Sequence, residues 1–310
     1  MKMSSKANAL NASSTAGHMP YPRGLIAFDL DGTVWPDRIS NKMAPRVAAA
    51  LEATWSRGYT IAVSTGRPLV ELPLDFLRLP WLDWAICSSG AAVYDLSSRA
   101  DVCDSIAGEN ATVTWRLMPC MAATLKYEQI ETIFQLTNSY EVSHWIDTPE
   151  GYYVEANGLS PSMRTFFDSR GRVVESAKSI PALRGGAYKV SVHFTDANDR
   201  RHVQSMLEKT AEQPFDFANE GELSLEFSPK GTNKGNAAMS ICRLTGIHPE
   251  SSAAFGDSGN DLSFADTPIH FIAMGNAELK VRAAADDVCP DVFNDGVAVW
   301  LEEHILKRVD

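Results

Sequence analysis

A chain of 310 residues with 45% hydrophobic side chains is longer than one ordinary domain and has ample apolar material for a buried core. Its net charge of -11, from 28 Lys and Arg against 39 Asp and Glu, argues against a nucleic-acid or anionic-membrane surface. It leaves room for a locally positive site that takes an anionic substrate. Cys87, Cys103, Cys120, Cys242 and Cys289 are dispersed, with no Cys-x-x-Cys pair. That pattern suits a reducing cytoplasm and offers no thiolate metal site. No apolar run approaches transmembrane length.

Residues 1–22 are rich in Ser, Ala and Asn, lack the apolar stretch of a signal peptide, and read as a disordered tail. Leu25 to Asp29 then reads as a short buried strand. Pro45 to Arg57 reads as a helix, with Val47, Leu51 and Trp55 at four-residue spacing and Gly58 as its stop. Tyr59 to Val63 is a second strand, running into Ser64-Thr65-Gly66-Arg67. Trp84 to Cys87 is a third, running into Ser88-Ser89-Gly90. Strand, helix, strand, with a polar loop after each strand, is a parallel α/β pattern, and such folds build their sites at the carboxyl ends of the strands.

The middle of the chain has another texture. Thr112 to Met118 is strand-like, and Met121 to Leu136 is helix-like, with Tyr127, Ile130 and Phe134 on one face. Tyr140 to Trp145 and Tyr152 to Glu155 read as short strands. Tyr188, Val190, Val192 and Phe194 alternate with Lys189, Ser191 and His193. A helix from about Asp199 turns Val203, Met206 and Leu207 inward, and Leu223, Leu225 and Phe227 alternate again. Alternation implies an antiparallel sheet covered on one face. The parallel pattern resumes with a helix at Asn236 to Leu244 and strands at Ser252 to Phe255 and Ile269 to Met274. The expected fold class is therefore α/β. A Rossmann-like parallel-sheet core at 23–98 and 229–310 carries an inserted α+β cap domain at 99–228 that lies over the site.

Two carboxylates, Asp29 and Asp31, crowd the end of the first strand, and each raises the other's cost of ionising. A plain Asp-Gly turn would read the same in isolation. A divalent cation relieves the crowding, and hard oxygen ligands suit Mg²⁺. Asp29 is the candidate nucleophile, since a carboxylate can attack phosphorus and form an aspartyl-phosphate. Asp31 can give a proton to the leaving oxygen and later take one from water. Thr65 offers a hydroxyl to a phosphoryl oxygen, and Gly66 lets the backbone approach closely. Lys234 opens a helix, where anion sites form, and can neutralise phosphoryl group and nucleophile together. Lys230 is its rival four residues earlier. Asp257 and Asp261 can complete a Mg²⁺ site with Asp29, and Asn260 can donate to phosphate. Gly256-Asp257-Ser258-Gly259 also occurs around a protease serine, but Asn260-Asp261 follows, and the α/β pattern does not suit that chemistry.

In this order, Asp29-Leu30-Asp31-Gly32-Thr33, Ser64-Thr65-Gly66-Arg67, Lys234-Gly235 and Gly256 to Asp261 resemble the four motifs of the haloacid dehalogenase superfamily of phosphohydrolases. The insertion between the second and third motifs is similar to the C2-capped branch. Met274-Gly275-Asn276-Ala277 and Asn294-Asp295-Gly296-Val297-Ala298 narrow the resemblance to the Cof-like, type IIB-capped phosphatases. It extends from about residue 23 to 305, strong in the core and weak in the cap. Ser89-Gly90-Ala91 departs from the family's common Asn-Gly-Ala.

The resemblance implies a Mg²⁺-dependent phosphomonoester hydrolase acting on a small phosphorylated metabolite, a sugar phosphate foremost. Asp29 would be phosphorylated, and Asp31 would serve as acid and then base. Thr65, Lys234 and Asn260 would hold the phosphoryl group, with Gly66 in support. Asp29, the Asp31 carbonyl and Asp257 would bind Mg²⁺, with Asp261 helping directly or through water. Arg67 would reach substrate or cap, or else form a structural ion pair. Asn276 would order the loop beside the metal site. Arg116, His144, Trp145, Tyr152 and Tyr153 are cap side chains that could select the substrate, or else core aromatics and surface residues. A phosphosugar mutase and a non-catalytic phosphometabolite-binding regulator are the alternatives. No nucleic-acid or membrane partner is expected, the location is cytoplasmic, and nothing sets the oligomeric state.

Overall fold

The structure, a computed structural model, describes residues 22–37, 41–97, 119–157, 159–168, 172–210, 212–219 and 221–307. The expected tail, apart from Pro22, lies outside the described residues, as do the strand expected at Thr112 to Met118 and Arg116. In chain order the strands are β1 (Leu25–Phe28), β2 (Thr60–Ser64), β3 (Trp84–Cys87), β4 (Ala92–Asp95) and β5 (Met121–Ala122). Then come β6 (Val142–Thr148), β7 (Gly151–Glu155), β8 (Val173–Val174), β9 (Lys189–Phe194), β10 (Phe215–Asn219) and β11 (Ser224–Pro229). The last three are β12 (Ala253–Gly256), β13 (His270–Ala273) and β14 (Asp287–Val288). The α-helices are α1 (Pro45–Ser56), α2 (Leu74–Leu77), α3 (Tyr127–Thr137), α4 (Pro161–Asp168), α5 (Ala197–Lys209), α6 (Lys234–Thr245), α7 (Leu279–Ala284) and α8 (Gly296–Leu301).

The strands form two sheets. One runs β14-β13-β12-β1-β2-β3-β4-β5, the other β10-β11-β9-β6-β7-β8. In the first sheet the pairings from β14 to β3 are parallel, and β4 and β5 add an antiparallel edge. Every residue of β1, β2 and β12 is buried, as expected of central parallel strands covered on both faces. This is a Rossmann-like core. The other sheet is antiparallel apart from the β7–β8 pair and is the cap's.

Register decides where the chemistry sits. Phe28 pairs with both Val63 and Phe255, so β1, β2 and β12 end together. Their following loops, with Asp29, Thr65 and Asp257, emerge at one edge. Asp29 N–H still donates to the Phe255 carbonyl at 3.0 Å, which fixes the loop after β1 against the end of β12. Phe28, Phe255 and Phe271 are fully buried beneath it. Each such side chain contributes about 1.5–3 kcal/mol of transfer free energy.

The middle of the chain departs from its sequence pattern in places. The helix expected at Met121 to Leu136 begins only at Tyr127. Met121 and Ala122 instead extend the first sheet by pairing with β4, and Leu125 bridges to Ala187. The Gln129 side chain accepts the Lys126 N–H at 2.7 Å and sets the helix start there. Ile130, Ile133 and Phe134 form its buried face, while Tyr127 is exposed. Met206 and Leu223, expected inward, are also exposed, whereas Val203, Leu207, Leu225 and Phe227 are buried. In β9, Lys189 and Ser191 alternate in chemistry but not in burial. Val190 and Val192 belong to the cap's apolar cluster, and the opposite, polar face is also covered, by loops of the first sheet.

Candidate active site

Asp29, Asp257 and Asp261 bring one carboxylate oxygen each to within 4.8 Å of one another. Lys234, with no solvent exposure, donates to Asp29 at 2.9 Å and to Asp261 at 2.7 Å. Asn233 caps α6 by accepting the Asn236 N–H at 2.8 Å, which places Lys234 in the first turn. Lys230, the rival, is exposed and pairs with Asp216 at 2.9 Å. The loop after β12 is held by one carboxylate. Asp261 Oδ2 accepts the N–H groups of Asp257 and Ser258, each at 3.0 Å, while Oδ1 takes Lys234. Asp261 thus orders the loop as well as lining the cluster.

Asp257 accepts from the Thr33 hydroxyl at 3.0 Å. Gly32, at φ +84°, lies so close that a Cβ would meet the Asp257 carboxylate at 2.3 Å. Glycine is therefore required there for both conformation and space. Asn276 donates to the Gly32 carbonyl at 2.8 Å and accepts the Val292 N–H at 3.0 Å, so it ties the first loop to the 292 turn. Thr65 is buried, and its hydroxyl accepts the Arg67 N–H at 3.1 Å. A Cβ on Gly66 would lie 3.4 Å from the Asn260 amide nitrogen. Asn260 therefore faces the Thr65-Gly66 loop. Arg67 grips Asp31 with two nitrogens, at 2.8 and 2.5 Å, donates to Asn41 at 2.8 Å, and lies 4.9 Å from the Trp35 ring centroid. Of the two readings of Arg67, this geometry is the ion pair.

Burial, reinforced by Asp261 and Asp257, pushes the Asp29 carboxyl well above its ordinary value, although Lys234 pulls the other way. Burial and Asp261 push Asp257 up to about 7. Burial opposes the Lys234 charge, but Asp261 and Asp29 outweigh it and hold the ammonium above its ordinary range. One cation thus serves three crowded carboxylates. The donor set is all hard oxygen and short of positive charge, which fits a divalent cation such as Mg²⁺.

The cap side chains divide. His144 bonds Glu155 at 2.7 Å and Thr137 at 3.0 Å, a polar contact within the cap. Trp145 and Tyr152 pack with Val154 and Phe167, and Val70 from the first sheet's side joins them. Tyr153 packs against the cap's own apolar cluster. The polar residues that do reach these loops were not among the expected site residues. Lys189 donates to the Gly66 carbonyl and pairs with Glu226, which accepts from Ser89. Asp147 accepts from Ser88. In sequence they look like the solvated face of alternating strands, and only the packing of the two sheets separates them from one.

The sequence matches the haloacid dehalogenase-like hydrolases over residues 26–301. The chain belongs to that family. Among its relatives, the pyridoxal phosphate phosphatase YbhA of Escherichia coli is 23% identical over 286 residues, 91% of this chain and 98% of that one. The HMP-PP phosphatase of Serratia proteamaculans is 25% identical over 265 residues, 84% of this chain and 86% of that one. A solved structure described as a subclass IIB sugar phosphatase of the haloacid dehalogenase superfamily superposes with a TM-score of 0.70. It is 20% identical, covering 90% of this chain and 98% of that one. This haloacid dehalogenase-like hydrolase is a Cof-like phosphatase with the IIB-capped fold. No helix among its described residues is long and apolar enough to cross a membrane.

Proposed function

We propose that this phosphatase hydrolyses small phosphomonoesters, sugar phosphates foremost, through an aspartyl-phosphate on Asp29 and with Mg²⁺. The observation that carries the reading is the buried Lys234 bridging Asp29 and Asp261 beside Asp257. A fully buried ammonium between two carboxylates is costly as mere structure and well placed to offset phosphoryl charge.

Asp29 attacks phosphorus through a carboxylate oxygen, the new O–P bond forms, and the ester P–O bond breaks. Asp31 gives its proton to the departing oxygen, then takes one from the water that attacks the aspartyl-phosphate, whose Asp29 O–P bond breaks to release inorganic phosphate and the free carboxylate. Arg67 holds Asp31 here as a carboxylate with both oxygens accepting, so Asp31 has to leave that pair and take up a proton before it serves as the acid. Lys234 favours the ionised form of Asp29 against its burial and receives the phosphoryl charge, and Thr65 and Asn260 hold phosphoryl oxygens, with Gly66 leaving them room. Asp29, the Asp31 carbonyl and Asp257, with Asp261 in support, would hold Mg²⁺, which would supply further positive charge for the phosphoryl oxygens. Asn276 keeps the Gly32 turn beside that site.

A cavity of about 240 Å³ beside Asn260 is lined by Ser89, Asp216, Glu226, Ser228 and Ser263. Hydroxyls and carboxylates suit a hydroxylated leaving group, which supports a sugar phosphate. The relatives' names, a pyridoxal phosphate phosphatase, an HMP-PP phosphatase and a sugar phosphatase, support a small metabolite. The division into a core at 23–98 and 229–310 and a cap at 99–228 is supported by the pairing of β6 to β11 among themselves. By its pairing with β4, β5 counts with the core. Cytoplasmic location is supported by the dispersed cysteines, which form no Cys-x-x-Cys pair. The test is phosphate release from a broad panel of phosphorylated sugars and cofactors. Release in Mg²⁺ that EDTA abolishes is expected, concentrated on a few sugar phosphates. Undiminished release in EDTA contradicts the metal's role, and release confined to compounds without hydroxyls contradicts the substrate class.

A further inference from the structure

Two loops of the catalytic edge are gripped from the cap by charged side chains that take no part in the phosphoryl-transfer steps above, although one of them, Glu226, also lines the cavity beside Asn260. Lys189, at the start of β9, is 5% exposed, and Glu226, in β11, is 3% exposed. They form an ion pair on the polar face of the cap sheet. The Lys189 ammonium also donates to the Gly66 carbonyl at 2.6 Å, one residue from Thr65. Glu226 Oε2 accepts the Ser89 hydroxyl at 2.8 Å. A Cβ on Gly66 would meet Asn260, Glu226 and Lys189 all between 3.4 and 3.5 Å. The pair therefore touches the phosphate loop at Gly66.

The loop it reaches on the Ser89 side is strained. Ser88 and Ser89 both have left-handed backbone, φ 51° and 55°, at a cost of about 1–2 kcal/mol each for a residue with a Cβ. Such a conformation persists only where its surroundings hold it. Here a cap carboxylate accepts each hydroxyl, Asp147 from Ser88 and Glu226 from Ser89. Ser89 N–H in turn donates to the Thr65 carbonyl at 3.0 Å, so the serine turn and the phosphate loop are fastened to each other. Farther along the chain, Val70 packs against the cap cluster of Trp145, Tyr152, Val154 and Phe167.

The geometry points to Lys189 and Glu226 as positioning residues: by bonding Gly66 and Ser89 across the two sheets, they hold the Thr65-Gly66 loop in its phosphate-binding shape. A docked cap thus completes the phosphate site through the backbone of Gly66, and an undocked cap leaves the loop without these bonds. The inference rests on the reading of Thr65 and Gly66 as phosphate-binding.

A buried ion pair could also be purely structural, and one pair of substitutions separates the two roles. Lys189→Met alone strands a buried carboxylate, whereas Lys189→Met with Glu226→Gln leaves no unpaired charge, so stability returns. The donor to the Gly66 carbonyl stays missing in both. In Mg²⁺ the double variant should melt within a few degrees of wild type. It should still bind orthovanadate about tenfold more weakly and hydrolyse p-nitrophenyl phosphate about tenfold more slowly, as a misplaced site would. Wild-type affinity and rate in the double variant would overturn the assignment. If the double variant does not fold, Ser89→Ala carries the same test. A severalfold loss of orthovanadate affinity is expected there, and no loss overturns the assignment. Should wild type bind orthovanadate yet hydrolyse no phosphomonoester, the phosphatase reading fails, while the affinities still decide the positioning role.

Discussion

At the residue scale, the site is a balance of charges that do not tolerate one another in isolation. Lys234 is the only cation in contact with Asp29 and Asp261 among the described residues. Lys234→Met should remove the charge that offsets the phosphoryl group and reduce kcat about 10²-fold or more, measured at saturating substrate and Mg²⁺. In the cap, Asp147 gives a pH signature of its own. Burial pushes its carboxyl up to about 7, against the pull of Ser88 and Lys189. Its folded pKa lies above the unfolded value, so the native state holds a proton that the unfolded state has already lost between about pH 4 and 7. Over that window this group makes the protein less stable as pH rises. Asp147→Asn cannot ionise, so its melting temperature relative to wild type should climb between pH 5 and pH 8. A constant difference across that range would contradict the assignment.

At the element scale, the strands that carry the site were legible because burial on both faces leaves a continuous apolar signature. Leu25 to Asp29 became Leu25–Phe28, and Trp84 to Cys87 was found as read. The polar loops that follow them stood out by contrast. Helix α6 proved longer than its apolar pattern of Asn236 to Leu244, because Asn233 caps it and Gly246, at φ +72°, ends it. Asn233→Ala should cost about 1 kcal/mol in denaturant unfolding. It should also lower activity, because the same turn aims Lys234. An unfolding midpoint equal to wild type would show that the cap is not holding the helix. The Met121 stretch was misread because pairing with β4, a long-range contact, overrides local helical periodicity.

At the scale of the whole molecule, the sequence placed acidic clusters, hydroxyl and lysine at successive element ends, and the register of β1, β2 and β12 brings the loops after them to one edge. The contacts between the sheets were not legible. Lys189 and Glu226 occupy alternating strand positions, where charge ordinarily means solvent, and only the fold buries them. The same holds for Ser89, a departure from the family's amide whose hydroxyl turns out to meet the cap. With Asp29 as the proposed nucleophile and Lys189 and Glu226 as the proposed positioning residues, the chemistry draws on both sheets, although the nucleophile belongs to one.

The most direct measurement is phosphate release by Asp29→Asn in saturating Mg²⁺, on whichever panel compound wild type hydrolyses best, with melting followed in parallel. The account predicts a loss of about 10³-fold or more in kcat with a melting temperature within a few degrees of wild type. A folded Asp29→Asn protein that releases phosphate at the wild-type rate would contradict it.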